Sequence, residues 1–393
     1  MSSTMVQRVA LYSLLCRLYG CFFIQNFRGK SLANAKATWK APYTLYSFSC
    51  FVLYFVIEML CFTNYTDVVR SISDTLSKTL LLVAYGVMVA KLIVNLAVMF
   101  TKPDKMLTFF RKSEAFENNT GFTPRANSLR CSATERWNMV RALAVLMGFA
   151  LYLTVALWYV TTEILQSIPP RWFVPVIILG TYMGIGFLGY DSVSHFFLRS
   201  CTNVLVEYIR AQAEVIKEAG KLTNFHLQSQ SSLQMEAVRL RINKIRKLKE
   251  SLNEIWAGPL IVHCASTLMV DCVILDAVFH DGIKKELYIV LIGSLYASIG
   301  FIDLAYTGQT LIDEARSLKN TILMLPAFGA PDSYIQQLRY LYESVDPEGM
   351  CLGGKSFFAL KRSLLVAMTG SVIIFGVILV ETSKSMALRI NAA

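Results

Sequence analysis

The chain has 393 residues, of which 54% are hydrophobic and only 17% are charged, and its formal net charge is +11. Soluble domains carry about 25% charged residues, and a soluble body of this composition would leave too much apolar surface in water. The composition therefore excludes an ordinary cytosolic enzyme and a disordered chain, and it indicates a membrane protein. The nine cysteines include no Cys-x-x-Cys pair, so we interpret them as buried single thiols.

The N-terminal segment, residues 1–42, is strongly basic. It contains six Lys and Arg residues and no Asp or Glu. The stretch 9–23 is apolar, but Arg17 interrupts it and no small-residue cleavage site follows. We therefore interpret it as a helix at the membrane interface rather than as a signal peptide.

Seven apolar runs are long enough to cross a hydrocarbon core of about 30 Å, which needs roughly 20 helical residues. They predict an all-α membrane protein with seven transmembrane helices. The first six spans fall within 43–306, and the last helix covers 364–382. The apolar runs are 43–63, 79–100, 142–161, 174–197, 259–279, 287–306 and 364–380.

The Lys and Arg residues predict the orientation of these spans. Twenty-nine of them lie in 1–42 and in the loops 101–138, 198–258 and 307–363, whereas seven lie on the other side. The positive-inside rule then places the N-terminus in the cytoplasm and the short tail, 383–393, outside. The sequon at Asn64 falls just outside the first span and is predicted to be glycosylated, while the sequon at Asn118 falls inside.

The cytosolic loop 198–258 is predicted to be helical, and its two halves meet near Gly220. Each half would extend a transmembrane helix by about 30 Å. In the second half, six apolar residues recur every three or four positions and form one stripe. Within a seven-helix chain no other helix is evidently placed to bury this stripe. We therefore expect the stripe, together with 307–325, to form contacts between subunits. The stripe consists of Val238, Ile242, Ile245, Leu248, Leu252 and Ile255.

The remaining surface of this second half is basic. A solvated helix face is the favoured interpretation, and a lipid-headgroup or calmodulin site is the alternative. Further along, 307–325 is predicted to be helical up to Pro326, and 332–345 is predicted to form another helix. The cytosolic helices of 307–363 lead into the last span. The basic residues are Arg239, Arg241, Lys244, Arg246, Lys247 and Lys249.

Ionisable residues inside the apolar runs are expected to face protein or water, because each costs about 3 kcal/mol at the bilayer centre on insertion scales. A functional role and a paired structural role both stay open for them. The four histidines lack metal-ligand spacing, and no phosphate-binding loop or nucleophile motif is present. The sequence therefore predicts no enzyme, no metal and no cofactor. The ionisable residues are Glu58, Lys91, Asp191, Asp271, Asp276 and Asp303.

A small-molecule site is predicted in the outer halves of the third to fifth spans. Aromatic walls with a few polar groups suit a small ligand. Trp and Tyr near a membrane boundary also serve as interfacial anchors, which is the alternative interpretation. The predicted lining comprises Tyr152, Tyr159, Glu163, Trp172, Tyr182, Asp271, Asp276 and His280.

The start of the last span resembles that of arthropod gustatory receptors. The run Gly354-Lys355-Ser356-Phe357-Phe358-Ala359-Leu360-Lys361-Arg362-Ser363-Leu364-Leu365 is similar to the family's approach to its final helix. That family continues with Thr-Tyr, five apolar residues and Gln-Phe, where this chain has Ile374-Phe375, five apolar residues and Glu381-Thr382. The segments 10–20 and 252–260 are similar to the family's N-terminal opening and to the start of its fifth span.

The resemblance implies a cation channel of the superfamily shared with insect odorant receptors, opened by a tastant or another small molecule. It implies a homo- or heterotetramer in the plasma membrane, with a shared pore lined by the last helices and a cytosolic anchor region in 307–363. The implied partners are the tastant, the permeant cations and membrane lipids, with no nucleic acid.

The pore face is predicted from spacings of four, three and four residues along the last helix. In the family, the gate occupies the equivalents of Ile378 and Thr382. A ring of Glu381 carboxylates would concentrate cations, and its effect would weaken as the outside pH falls. The predicted pore and gate residues are Ser371, Phe375, Ile378, Glu381 and Thr382.

Two other functions stay open. Ile374, Glu381 and Thr382 differ from the family's motif in the last helix. This difference is compatible with a non-conducting accessory subunit of a heteromeric gustatory receptor. A seven-span G-protein-coupled receptor is the other alternative. The predicted orientation and the lack of Asp-Arg-Tyr after the third span and of Asn-Pro-x-x-Tyr in the seventh count against it.

Overall fold

The computed structural model describes residues 3–27, 29, 31–38, 42–71, 75–123, isolated positions between 140 and 154, and 169–221, 228–280, 287–325, 332–355 and 357–392. This part of the chain is mostly helical, as the sequence predicts. A short antiparallel hairpin pairs β1 (Ile24–Gln25) with β2 (Lys36–Ala37). The helices are α1 (Thr4–Leu18), α2 (Pro42–Ser71), α3 (Thr75–Thr101), α4 (Pro103–Thr120), α5 (Phe173–Lys221), α6 (Gln228–His280), α7 (Leu287–Leu323), α8 (Asp332–Ser344) and α9 (Arg362–Ala392).

Three stretches of helix in the described residues are long and apolar enough to cross a membrane: α3, Ser232–Phe279 in α6 and Arg362–Glu381 in α9. They contain the predicted second, fifth and seventh spans. A shorter apolar helix, Pro42–Val56, lies at the predicted first span. The fourth and sixth predicted spans fall within α5 and α7, and the third lies mostly outside the described residues.

Helix α6 is central to the fold, since it packs against α3, α4, α5, α7, α8 and α9. With 53 residues it is about 80 Å long, and α5, with 49 residues, is about 74 Å long. Both helices run without interruption from a predicted span into the predicted loop 198–258. The prediction that this loop consists of helix extensions is therefore confirmed for its described residues, 198–221 and 228–258.

The apolar stripe of α6 belongs to the core of the single chain. All six of its residues are at most 3% exposed. The same core contains Phe110 of α4, Tyr208 of α5, Leu311 of α7 and Leu341 of α8. The expectation that one chain leaves this stripe uncovered is therefore wrong, because neighbouring helices of the same chain bury it. Contacts between subunits cannot be made by side chains that are already enclosed. The buried residues are Val238, Ile242, Ile245, Leu248, Leu252 and Ile255.

The N-terminal helix α1 is docked on α5 and α4. The Glu117 carboxylate accepts hydrogen bonds from the backbone N–H groups of Thr4 at 2.7 Å and Met5 at 3.1 Å, and also from the Tyr208 hydroxyl. A carboxylate at a helix N-terminus satisfies free N–H groups and complements the helix dipole. One side of α1 is thus fixed to protein, while Leu11 and Leu18 on the other side are 63% and 52% exposed.

The C-terminal helices follow the sequence closely, with one difference. Helix α7 covers the predicted helix 307–325 as far as Leu323, and α8 covers the predicted helix 332–345 as far as Ser344. Helix α9, however, does not end with the last apolar run but continues to Ala392, so the predicted tail 383–393 is helical almost to its end. The cause lies in the sequence, since neither Gly nor Pro follows Gly376 and Ala, Leu, Met and Lys favour helix.

Candidate functional site

Helix α9 is poorly covered by its own chain. Only 11% of the residues in its apolar stretch are buried, against 33% in α3. Its contacts are mainly with α6 and α7. One side is closely packed: a Cβ at Gly376 would lie 2.8 Å from Leu275, and the Met368 and Cys264 sulfur atoms are 3.7 Å apart. The opposite side is open.

The predicted pore residues on α9 differ in their exposure. Ser371, Ile378 and Glu381 are exposed, and Ile378 is 53% exposed. Phe375 is half-buried at the border with the packed side. Thr382 lies within the helix, and its side chain is outside the described part.

The open side of α9 is wider than the sequence predicted. Besides the predicted residues, Val366, Ile373, Ile374 and Val377 are 74%, 61%, 63% and 53% exposed. The apolar residues of a span do not indicate which of them the chain itself covers, so this extra width was not predictable from local sequence.

The segment 348–361, which leads into α9, is fixed to α6 and α7. The Gly353 N–H donates to Asn253 Oδ1 at 2.9 Å, and the Leu360 N–H donates to the Leu352 carbonyl at 2.7 Å. A Cβ at Gly308 would lie 2.6 Å from the Leu360 carbonyl oxygen, so α7 approaches this segment closely. The run that carries the family resemblance is therefore a tightly packed connection to α9.

Ion pairs surround the same segment. Glu348 contacts Arg316 at 3.1 Å and also accepts a hydrogen bond from Lys361. This hydrogen bond from Lys361 lowers the pKa of the Glu348 carboxyl. Arg362 lies over the Tyr306 ring, 4.9 Å from its centroid. Exposed ion pairs are individually weak, so these contacts orient the start of α9 more than they stabilise the fold.

Charged residues within the predicted spans form buried pairs. Lys91 of α3 contacts Asp191 of α5 at 2.8 Å, and the Lys91 side chain is only 3% exposed. One turn further on, Asn95 donates to the backbone carbonyls of Tyr190 and Asp191 at 3.0 and 3.1 Å. Both charged residues were recognisable from the sequence, but their pairing was not predicted. Their opposite signs at similar depths in two predicted spans indicated such a pair.

A second group of charges joins α5 to α7. Asp303 lies 3.1 Å from His195 Nε2 and 2.8 Å from Arg199 Nε. Nearby, Ser298 donates to Asp271 Oδ1 at 3.0 Å. No cluster of three metal-ligating side chains occurs in the described residues. These arrangements favour a structural role for the charges over a catalytic one.

Only part of the predicted ligand site lies among the described residues, so the site stays a prediction. Trp172 is 54% exposed in the turn before α5. Tyr182 donates to the Leu18 carbonyl at 3.1 Å, and its hydroxyl lies 3.1 Å from that of Tyr46. Asp276 is buried, at 4% exposure. The other members lie outside the described residues, namely Tyr152, Tyr159, Glu163 and the His280 side chain.

The predicted glycosylation site falls within a helix. Helix α2 continues past Asn64 to Ser71, so the backbone of the sequon is helical. The Asn64 side chain lies outside the described part, and its glycosylation stays a prediction.

Comparison with known proteins identifies one matching family and similar solved structures. A family described as Trehalose receptor matches residues 218–390, which include α6 to α9 and the segment 348–361. The insect olfactory receptor OR5 from Machilis hrabei, in complex with eugenol, has a TM-score of 0.67 at 12% identity, covering 96% of this chain and 98% of that one. A second structure of OR5 gives 0.68 at 13% identity, with the same coverage. At such identities the likeness shows the fold. No curated protein sequence matches.

Proposed function

We propose that this chain, whose residues 218–390 match a Trehalose receptor family and whose fold is similar to that of an insect olfactory receptor, is a gustatory receptor in which a small-molecule tastant opens a cation pore. It lies in the plasma membrane, crosses it seven times with the N-terminus in the cytoplasm, and has no enzymatic activity. Four copies, or this chain with other members of its family, enclose the pore. The Lys and Arg distribution supports the orientation, and closed rings are the usual form of such assemblies.

The observation that carries this proposal is the division of the open side of α9 into two faces. Ser371, Ile374, Ile378 and Glu381 are spaced three, four and three residues apart, so they share one face, and this face contains a hydroxyl and a carboxylate. The second face includes Val366, Ile373 and Val377 and is mostly apolar, with Thr369 as an exposed hydroxyl and no carboxylate.

The two faces suit two environments. A carboxylate is unfavourable against lipid, so the first face is better accommodated by water. Ile378 would form a hydrophobic constriction there, and a ring of Glu381 side chains would attract cations. The apolar face would meet lipid or a neighbouring subunit.

The test is the response of cells that express this chain alone. Trehalose is the first compound to apply, because the matching family carries its name; other sugars, bitter alkaloids, amino acids and eugenol follow. We expect an inward cation current with a matching calcium signal. The current should persist with GDP-β-S in the recording pipette. A response abolished by GDP-β-S, with an N-terminal tag accessible from outside, would instead identify a G-protein-coupled receptor.

The accessory-subunit alternative is favoured by one observation, the replacement of the family's motif letters at Ile374, Glu381 and Thr382. Under this alternative the chain reaches the surface but carries no current alone. Co-expression with a conducting relative would then change the ligand range or the permeability of that relative. Surface labelling distinguishes this result from failed expression.

A further inference from the structure

A cleft of about 640 Å³ lies between α1 and the β1–β2 hairpin with its connecting loop. Its size is within the range of small-molecule sites, about 300–1,000 Å³. Its polar lining comes from Ser13, Arg17, Asn26, Ser31 and Asn34. None of these side chains is acidic, so the described lining offers donors and one positive charge.

Arg17 is the cation in the described lining of this cleft, and no described carboxylate neutralises its charge. Its guanidinium lies over the Tyr43 ring, 5.2 Å from the centroid, and the side chain is exposed. By contrast, Arg8 on the same helix is paired with Glu207 at 2.9 Å. Glu114 of α4, which contacts the loop between β1 and β2, accepts from the Leu32 N–H at 3.2 Å.

The neutral polar groups can also donate. Ser31 Oγ accepts from the Ala33 N–H, which leaves the hydroxyl hydrogen available. Asn26 makes a weak contact with the Asn34 carbonyl at 3.5 Å, so its amide has donor capacity left. An Arg guanidinium among hydroxyl and amide donors is the usual surrounding of a phosphate group.

An apolar helix face adjoins the cleft. Leu14 lines the cleft and is also exposed, together with Leu11, Leu15 and Leu18. These leucines recur every three or four residues and form one stripe along α1. A ligand with a phosphate in the cleft could therefore lay apolar chains along this stripe.

We propose that the cleft binds the headgroup of an anionic phospholipid, with its phosphate at Arg17 and its acyl chains along Leu11, Leu14 and Leu18. Charge complementarity indicates an anionic lipid, since residues 1–42 contain six basic and no acidic residues. The assignment to the cytoplasmic leaflet rests on the proposed orientation of the receptor, and anionic lipids are concentrated in that leaflet. The lipid would tie α1, which is docked on α5, to the bilayer surface.

The test uses the purified, delipidated full-length chain and native mass spectrometry. Dioleoyl phosphatidylserine and dioleoyl phosphatidylcholine are titrated separately, and soluble glycerophosphoserine tests whether the headgroup suffices. Both headgroups contain the phosphate, but only phosphatidylserine has a net negative charge, so we expect it to bind at least roughly tenfold more tightly than phosphatidylcholine. Glycerophosphoserine should bind much more weakly than the intact lipid, because it lacks the chains that cover the leucines.

Two variants separate a built site from general charge attraction. Arg17→Gln should weaken phosphatidylserine binding roughly tenfold. Lys36→Gln removes the same charge from the exposed strand β2, outside the cleft, and should change binding less than twofold. If Arg17→Gln folds poorly, Arg17→Lys keeps the charge and should show an intermediate loss through the missing bidentate geometry.

Several results would overturn the proposal. Equal binding of the two lipids would remove the headgroup preference, and equal losses in Arg17→Gln and Lys36→Gln would indicate non-specific attraction. Tight binding of glycerophosphoserine alone would make this a site for a soluble phosphate compound. The measurement needs neither tastant nor current, so its failure is distinguishable from failure of the proposed channel function.

Discussion

The 238–255 section of α6 and the helix α9 are both marked by apolar residues at helical spacing, but their surroundings differ. In α6 the apolar stripe is at most 3% exposed, because helices of the same chain enclose it. In α9 only 11% of the apolar stretch is buried. Periodicity identifies an apolar face in each helix, whereas the tertiary fold decides whether the chain itself covers that face. We therefore place the partner-dependent surface on α9 and the chain's own core on α6.

The largest expected effect comes from charging the α6 stripe. Leu248→Asp or Leu252→Asp would bury an unpaired carboxylate and should cost more than about 4 kcal/mol, enough to prevent folding. We expect loss of surface expression and an aggregated profile in size-exclusion chromatography. Leu240→Asp is the matched control on the same helix, since Leu240 is 49% exposed. If Leu248→Asp gave a folded but monomeric subunit, the stripe would instead form contacts between subunits.

The next effect concerns the buried pair Lys91–Asp191. Lys91→Met leaves a carboxylate without its partner and should destabilise the chain by about 3–5 kcal/mol. Adding Asp191→Leu should recover most of the loss, because the double variant buries no lone charge. Thermal unfolding in detergent measures both changes.

The control for this pair is an exposed ion pair in the same chain. Arg8 and Glu207 have side chains 56% and 29% exposed, so Arg8→Gln should cost less than about 1 kcal/mol. If Lys91→Met were as mild as Arg8→Gln, the buried pair would not hold α3 against α5.

On α9, the third expected effect is on permeation and leaves stability unchanged. Glu381 is exposed, so Glu381→Gln should express and assemble normally. In a conducting channel it should lower the calcium-to-sodium permeability ratio, since the ring of negative charge is lost. Reversal potentials in mixed sodium and calcium, at two outside pH values, provide the measurement. Unchanged ratios and unchanged pH dependence would remove Glu381 from the pore.

The smallest expected effect is at the segment that joins the two regions. Glu348 is 57% exposed, so Glu348→Gln should cost less than about 1 kcal/mol and mainly disturb the orientation of α9. Because Lys361 lowers the pKa of Glu348, the contact stabilises above the ordinary carboxyl pKa of about 4.3 and is lost as pH falls through the lowered value. Thermal unfolding from pH 7 downwards should therefore show a smaller acid sensitivity in Glu348→Gln; an identical acid profile would contradict this role.

Much of the fold follows from local sequence patterns. The helical extensions of α5 and α6 and the helices α7 and α8 were predictable, because apolar spacing and Pro326 act over a few residues. The enclosure of Leu248 was not, since it depends on helices far away in sequence. The continuation of α9 beyond Glu381 was also missed, although no helix-breaking residue follows.

The candidate site was predictable in part. Spacing alone placed Ser371 and Ile378 on one face of the last helix, and both are exposed there. Phe375 shares that spacing but borders the packed side, because Leu275 packs closely against the neighbouring Gly376. Tyr182 stays a predicted pocket residue, and its hydroxyl donates to the Leu18 carbonyl, a contact across 164 residues that no local pattern predicts.

The central claim, that α9 lines a water-filled pore with the face containing Ile378, is tested most directly by thiol modification during recording. Ile378→Cys places a thiol on the open face, whereas Leu379→Cys places one at a neighbouring position that is 1% exposed. A charged methanethiosulfonate reagent is applied to whichever current the chain carries, basal or evoked by an active tastant. We predict that it blocks Ile378→Cys and leaves Leu379→Cys and the unmodified chain unaffected. Conducting Ile378→Cys channels with an unchanged current would contradict the claim.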